Sequence, residues 1–249
     1  MTEGELELSI IIPAYNEENR LPQTLARILY YIRARHVAAE VIVVDDGSSD
    51  ATAQIAEDWH TEHPSVRLVS NGRNRGKGFT VRHGMLEARG RIALFTDADL
   101  STPIEESEKL FAALADADIA FGSRALDRRL IEVHQSRMRE LAGIIFNYLA
   151  RILTSVPFKD TQCGFKAFLR ERCRVIFEQQ RIEGFGFDPE ILFLAKRHGL
   201  RAREIPVRWS HDAATKLHVV RDSLRMFGDL LRIRGNWLLG RYPRAHLRN

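Results

Sequence analysis

Short apolar runs recur along the chain, and each is cut off by polar, proline or glycine residues. Leu6 to Ala14 is the first, with Leu8, Ile10, Ile11 and Ile12 as a core run that Pro13 ends, so it predicts a buried strand. A helix is predicted from about Glu18 to Arg35, with Leu21, Leu25, Ile28, Leu29 and Ile32 on one face and Pro22 in its first turns. Glu40 to Val44 reads as a second strand, ended by Asp45-Asp46-Gly47-Ser48-Ser49-Asp50. Ser49 or Asp50 can cap a helix that starts at Ala51. Val66 to Ser70 is a third strand, and Asn71 to Gly78 is a glycine-rich basic loop before another helix. Strands over Arg91–Thr96 and Asp118–Gly122 flank a helix from Pro103 to Leu114. Buried strands that alternate with helices predict an α/β fold with a mainly parallel central sheet.

The second half is patterned differently. Gln135 to Thr154 predicts a long amphipathic helix with a basic start (Arg137, Arg139), and Asp160 to Phe168 a loop and short strand. Asp188 precedes a helix over Pro189–Arg197, Ala202 to Trp209 is a short strand, and Val219 to Leu239 is a final amphipathic helix. The chain therefore divides into one domain, residues 1–218, and a helical C-terminal appendage, residues 219–249.

Three strand ends carry polar loops: Tyr15-Asn16-Glu17, Asp45-Asp46-Gly47-Ser48 and Asp97-Ala98-Asp99. In a parallel sheet they open at one edge, where α/β folds bind ligands. Asp97 and Asp99 follow the apolar strand RIALFT. Paired carboxylates there suit Mg²⁺ or Mn²⁺, and two aspartates can equally punctuate a turn. Asp45-Asp46-Gly47-Ser48 reads either as a ligand loop or as a turn with a helix cap. Arg75 and Lys77 lie where glycines let backbone approach a ligand, or on a solvated turn. Asp188 suits a ligand hydroxyl or an N-cap ahead of Pro189.

Composition narrows the classes. The 249 residues are 45% hydrophobic and 28% charged, enough for a substantial core without staples. Two cysteines, Cys163 and Cys173, give neither a disulfide framework nor a four-ligand metal pattern, which fits a reducing cytoplasm. The acidic N-terminus predicts no signal peptide, and no apolar run approaches the ~20 residues of a membrane span. His134, His211 and His218 show no metal spacing. The net charge is +4, and residues 219–249 alone hold seven arginines against two aspartates, so the basic excess is C-terminal. With no nucleic-acid motif beside it, that excess suits an anionic membrane surface or a solvated helix face rather than nucleic acid.

The assembled motifs carry a family resemblance. SIIIPAYNEE, VIVVDDGSSD, NRGKG and DADLS, in that order, resemble the family 2 inverting glycosyltransferases, which have the nucleotide-diphospho-sugar transferase (GT-A) fold. GSR at Gly122–Arg124, DTQCGFK at Asp160–Lys166, FDPE at Phe187–Glu190 and TKL at Thr215–Leu217 resemble dolichyl-phosphate β-glucosyltransferases most, and dolichyl-phosphate mannosyltransferases next.

The resemblance implies transfer of a hexose from a nucleotide diphosphate donor to a polyprenyl phosphate. UDP-glucose is the implied donor and GDP-mannose the alternative. It implies Mg²⁺ or Mn²⁺ on Asp97 and Asp99, with Ser101 a weak third ligand. The nucleotide-sugar pocket is implied at Pro13, Tyr15, Glu17, Asp46, Lys77 and the Asp97-Ala98-Asp99 segment. An acceptor phosphate is largely dianionic near neutral pH, its second pKa being about 6, so it attacks without a general base. Arg124, Arg137 and Arg139 are the candidate cations that hold it. Gln162, Lys166, Asp188 and Lys216 complete a sugar or acceptor pocket. A saccharide hydroxyl acceptor would instead want a base, for which Asp188 is the candidate. A polyprenyl acceptor lies in a bilayer, so the expected location is the cytoplasmic face of a membrane, with the two amphipathic helices at the surface or packed on the domain.

Overall fold

A computed structural model describes residues 6–133, 135–211 and 219–243. The strands are β1 (Leu8–Ala14), β2 (Ala39–Asp45), β3 (Val66–Ser70), β4 (Ile92–Thr96), β5 (Ile119–Ser123), β6 (Ile131–Val133), β7 (Phe165–Leu169), β8 (Ala202–Pro206) and β9 (Trp209–Ser210). The helices are α1 (Leu21–Arg35), α2 (Thr52–Glu62), α3 (Lys77–Glu87), α4 (Ser107–Ala113), α5 (Arg137–Thr154), α6 (Arg170–Gln179), α7 (Phe187–Arg197) and α8 (Val219–Leu238).

Seven strands form one sheet in the order β3-β2-β1-β4-β7-β5-β8, and β6 pairs with β9 apart from it. Alternate residues of the buried strands feed two cores. Ile10, Ile12 and Leu94 pack under α1 and α4 on one face. Ile11, Phe95, Phe121 and Phe168 pack under α3, α6 and α7 on the other. This two-sided burial explains the continuous apolar runs.

Within this sheet β7 alone runs against its neighbours, β4 and β5. Its first residue therefore lies at the sheet edge where β4 and β5 end, with Phe165 opposite Thr96. The apolar pattern predicts a short strand here but not its direction.

Other differences have local causes. α1 starts at Leu21, because residues 17–20 form a turn in which the Glu17 carbonyl accepts the Arg20 and Leu21 amides. Asp50 rather than Ser49 supports the start of α2, its carboxylate accepting the Thr52 amide at 3.0 Å. The charge of α6 hides it from a periodicity reading: only Cys173, Ile176 and Phe177 of RERCRVIFEQ are buried. The strand expected over residues 202–209 breaks at Val207-Arg208, where Glu106 accepts both the Arg208 amide and its Nε. α7 begins at Phe187 after Gly186, so Asp188 lies inside the helix and is not its N-cap.

α8 packs on α5 and α7, with Leu230 and Ile233 fully buried. Beyond it Tyr242 is buried too, and its hydroxyl donates to Glu190 Oε1 of α7 at 2.6 Å. Glu190 also accepts the Arg181 and Ile182 amides.

Phe168 is fully buried, 6.4 Å from Phe95 and 5.1 Å from Phe177 between ring centroids. Phe168→Ala should cost about 3–5 kcal/mol through the cavity it leaves. Urea unfolding followed by circular dichroism measures this; a loss below about 1 kcal/mol would mean that the site collapses around the deletion.

Candidate active site

Parallel β1, β2, β4 and β5 end at one edge of the sheet, and the candidate residues follow them there. Asp97 follows β4 and its amide donates to the Gly164 carbonyl, just ahead of β7, at 3.2 Å. A Cβ at position 164 would overlap the Asp97 carboxylate, so only glycine lets that side chain lie where it does. Asp99 Oδ1 accepts the Ser101 amide at 2.9 Å in a tight turn. The Ser101 hydroxyl also bonds Asp99, so Ser101 orients that carboxylate. Thr24 of α1 holds the intervening Ala98 by donating to its carbonyl at 2.5 Å.

Burial raises the Asp99 carboxyl above its ordinary value, and the neighbouring charge of Asp97 raises it further. Such mutual repulsion is relieved by a cation. Lys77, the first residue of α3, supplies one: its Nζ lies 2.6 Å from Asp97 Oδ1. Burial opposes the charged ammonium, yet Asp97, Asp188 and Asp99 outweigh it and raise the Lys77 pKa. Two hard carboxylates also suit Mg²⁺ or Mn²⁺. No group of three or more histidine, cysteine or acidic side chains suited to a metal occurs among the described residues. Among the described residues, Asp97 and Asp99 are the pair that would hold such an ion.

Asp45 and Asp46 both hold backbone. Asp45 accepts the Gly47 and Ser48 amides and so makes the turn. Asp46 accepts Asn71 Nδ2 and the Arg75 and Gly76 amides, each at 2.8 Å. Its carboxylate thus clamps the NRGKG loop. Glu17 carries Arg20 at 3.0 Å on its carboxylate, and its amide donates to Thr52 at 2.7 Å. Tyr15 is exposed beside them, and Pro13 lies at the end of β1.

Arg124 follows β5 and grips buried Asp160, with Nε to Oδ2 at 2.7 Å and Nη2 to Oδ1 at 2.8 Å. Burial alone would raise the Asp160 carboxyl, but Arg124 more than offsets it and holds it at about 2. Burial likewise opposes the Arg124 charge, and Asp160 outweighs it to raise the guanidinium's pKa. Arg124 is thereby held rigidly and part of its charge is compensated.

The DTQCGFK segment is a scaffold under this edge. Asp160 holds Arg124. Thr161 donates its amide and hydroxyl to Asn147 of α5 at 3.0 and 2.9 Å. The Gln162 amide donates to Asp160, and its side chain lies 3.9 Å from the Met226 sulfur. Burial pushes the Cys163 thiol up to about 11, so it stays a neutral core group. Lys166 is wholly buried, and its Nζ donates to the Cys163 carbonyl at 2.6 Å and to Asp188 Oδ1 at 2.7 Å. Burial raises the Asp188 carboxyl, against the pull of Lys166.

Asp97, Asp99, Lys77, Asp188 and Lys166 thus form one charge cluster, with the Arg124–Asp160 pair beside it. The side chains of Arg137 and Arg139, and the whole of Lys216, His134 and His218, lie outside the described residues. The structure adds Asp160, Gly164, Asn147 and Glu204 to the residues that build the site. Glu204 accepts the Ser123 hydroxyl and the Asp160 amide, both at 2.7 Å. Asp160 and Gly164 sit inside a motif that the sequence marks as a block; Asn147 and Glu204 have no local signal.

The amphipathic helices do not bury their whole apolar faces. Leu141, Ile144, Ile145, Tyr148 and Ile152 of α5 are more than half exposed, as is Leu224 of α8, with Leu231 half exposed. Exposed Arg151, Arg225 and Arg232 lie on the same two helices. No helix among the described residues is long and apolar enough to cross a membrane.

Comparison with known proteins matches residues 9–177 to Glycosyl transferase family 2. A dolichyl-phosphate beta-glucosyltransferase of Drosophila melanogaster is 39% identical over 256 residues, covering 97% of this chain and 78% of its own. The Homo sapiens protein of that name is 37% identical over 248 residues, covering 94% and 76%. Among solved structures, mannosyl-3-phosphoglycerate synthase from Rubrobacter xylanophilus has a TM-score of 0.69 at 19% identity, covering 98% and 77%. Glucosyl-3-phosphoglycerate synthase from Mycobacterium tuberculosis, in complex with Mn²⁺, UDP and glucosyl-3-phosphoglycerate, has 0.61 at 20%, covering 97% and 82%. The fold is the GT-A arrangement, with a mostly parallel sheet between helices.

Asp160→Ala would leave the Arg124 guanidinium without its partner, at a cost of about 3–5 kcal/mol near neutral pH. The Asp160 carboxyl is depressed in the fold, so its contribution is complete above the unfolded value of about 3.9 and fades as pH falls toward about 2. Urea unfolding of wild type and variant between pH 7 and 2 should show the gap closing below pH 4. A gap that stays constant across that range would remove the ion pair as its source.

Proposed function

The chain belongs to Glycosyl transferase family 2, and we propose that this glycosyltransferase moves glucose from UDP-glucose to a polyprenyl phosphate such as dolichyl phosphate, with inversion. The observation that carries this reading is the Asp97–Asp99 pair at the end of β4, set beside Lys77 and given room by Gly164. The donor is attacked at its anomeric carbon while the bond to the nucleotide diphosphate breaks, so negative charge grows on the leaving group. Lys77 faces that charge from the start of α3. Asp97 and Asp99 would hold a divalent ion, whose contribution when bound is to compensate the diphosphate. The uridine would lie against Tyr15, Glu17 and Pro13, with the Asp46-clamped loop as its wall.

The acceptor phosphate brings its own nucleophilic oxygen. The site's remaining task is to hold it on the face opposite the leaving group. Arg124, fixed by Asp160, would take that task together with Arg137 and Arg139 at the start of α5. Asp188, the candidate base for a hydroxyl acceptor, is buried and tied to Lys166. That favours an acceptor that needs no base. Relatives named dolichyl-phosphate beta-glucosyltransferase support glucose and dolichyl phosphate as the substrates.

The α5 and α8 stripe supports a peripheral membrane location. Five half-exposed apolar side chains on one helix make a patch that water solvates poorly, and flanking arginines suit anionic headgroups.

Incubating the protein with labelled UDP-glucose, Mn²⁺ and detergent-dispersed dolichyl phosphate should yield a labelled lipid. Asp99→Ala should lower turnover at least about 10²-fold without unfolding the chain. Transfer of mannose from GDP-mannose at the higher rate would replace the proposed donor, and no lipid product from either donor would end the reading. Co-sedimentation with phosphatidylserine-containing vesicles tests the location. The double variant Ile144→Asp, Ile145→Asp should weaken it at least about tenfold; unchanged binding would rule that stripe out as the contact.

A further inference from the structure

Lys77 sits on a fixed root. Gly76 before it adopts φ +100°, and the Arg75 and Gly76 amides are both held by Asp46. The ammonium therefore moves by rotation of its own side chain, and its Nζ lies 2.6 Å from Asp97 Oδ1. The cluster's second ammonium, Lys166, is committed to Asp188 and the Cys163 carbonyl. Among the described residues, Lys77 is thus the lysine paired with Asp97, the first of the two aspartates.

A divalent ion held by that pair needs the same carboxylate oxygens, and it repels an ammonium at this range. We infer that Lys77 is a tethered competitor of the divalent ion: the ion displaces it from Asp97, and the donor diphosphate receives it. The inference rests on reading the aspartate pair as the metal site. Its consequence is thermodynamic. Metal alone must bind against an ammonium already paired with Asp97. Once a diphosphate is present, the displaced ammonium gains phosphate oxygens. Metal and nucleotide then bind with positive coupling, and each tightens the other by the same factor.

Calorimetric titration of MnCl₂ into the full chain, with and without saturating UDP, tests this. Lys77→Met should bind Mn²⁺ alone about tenfold more tightly than wild type, and the factor by which UDP tightens Mn²⁺ should shrink about tenfold. Lys77→Arg, which restores a tethered cation, should return the wild-type pattern. Lys77→Gln serves as a second neutral variant should the methionine variant fold poorly. Asp97→Asn should abolish Mn²⁺ binding in every background. Equal Mn²⁺ affinities in wild type and both neutral variants would overturn the competition while leaving the metal pair standing. Absence of Mn²⁺ binding to wild type even with UDP would overturn the metal reading and this inference together.

Discussion

β7 runs antiparallel to β4 and β5, and the hydrogen-bond ladders on its two sides carry the DTQCGFK segment to the edge where those strands end. The scaffold of the candidate site depends on that reversal. It puts Gly164 under the Asp97 carboxylate, Asp160 under Arg124, and the Lys166 ammonium within reach of Asp188. Were β7 parallel, the same residues would emerge at the opposite edge, and the carboxylates would have no scaffold. The direction of one strand thus decides whether two distant stretches of sequence meet.

The site is built largely from buried charge. Lys166, Asp188 and Asp160 are each almost wholly enclosed. Isolated, such groups would cost several kcal/mol each in lost hydration, so their pairing is obligatory. The return is rigidity. Arg124 is held by two forked bonds and its own amide on one carboxylate, leaving little freedom to reorganise when an anion arrives. Preorganised charge of this kind stabilises a forming anion without a reorganisation cost at the moment of reaction.

Much of this is legible in the sequence. The buried strands β1, β2, β4 and β5 announce themselves as apolar runs because the sheet is covered on both faces. Asp97 and Asp99 are visible because an apolar run ends on them. Asp46 shows what such reading leaves open. It is expected to touch the donor, and the structure engages it with Asn71, Arg75 and Gly76. A carboxylate that binds a loop and one that binds a ligand look alike in a sequence. Asn147 and Glu204 are invisible for a different reason: their partners lie 14 and 44 residues away, at Thr161 and Asp160, and only the folded chain joins them. The exposed stripe of α5 is half legible. Its helical period is plain, but period cannot tell which apolar residues meet the core and which meet the surroundings.

The hydroxyl of Tyr242 on the Glu190 carboxylate also sets an order of events during synthesis. Strands β1 to β4 and their helices can pair while the ribosome is still at work. Glu190 waits for its tyrosine until 52 further residues have been added, roughly 3–10 s of elongation. Until then the Glu190 carboxylate can have only two of its three donors, the Arg181 and Ile182 amides. Asp188 rides on the same helix, two residues before Glu190. The helix that carries Asp188 is therefore completed only when a segment made afterwards docks on it.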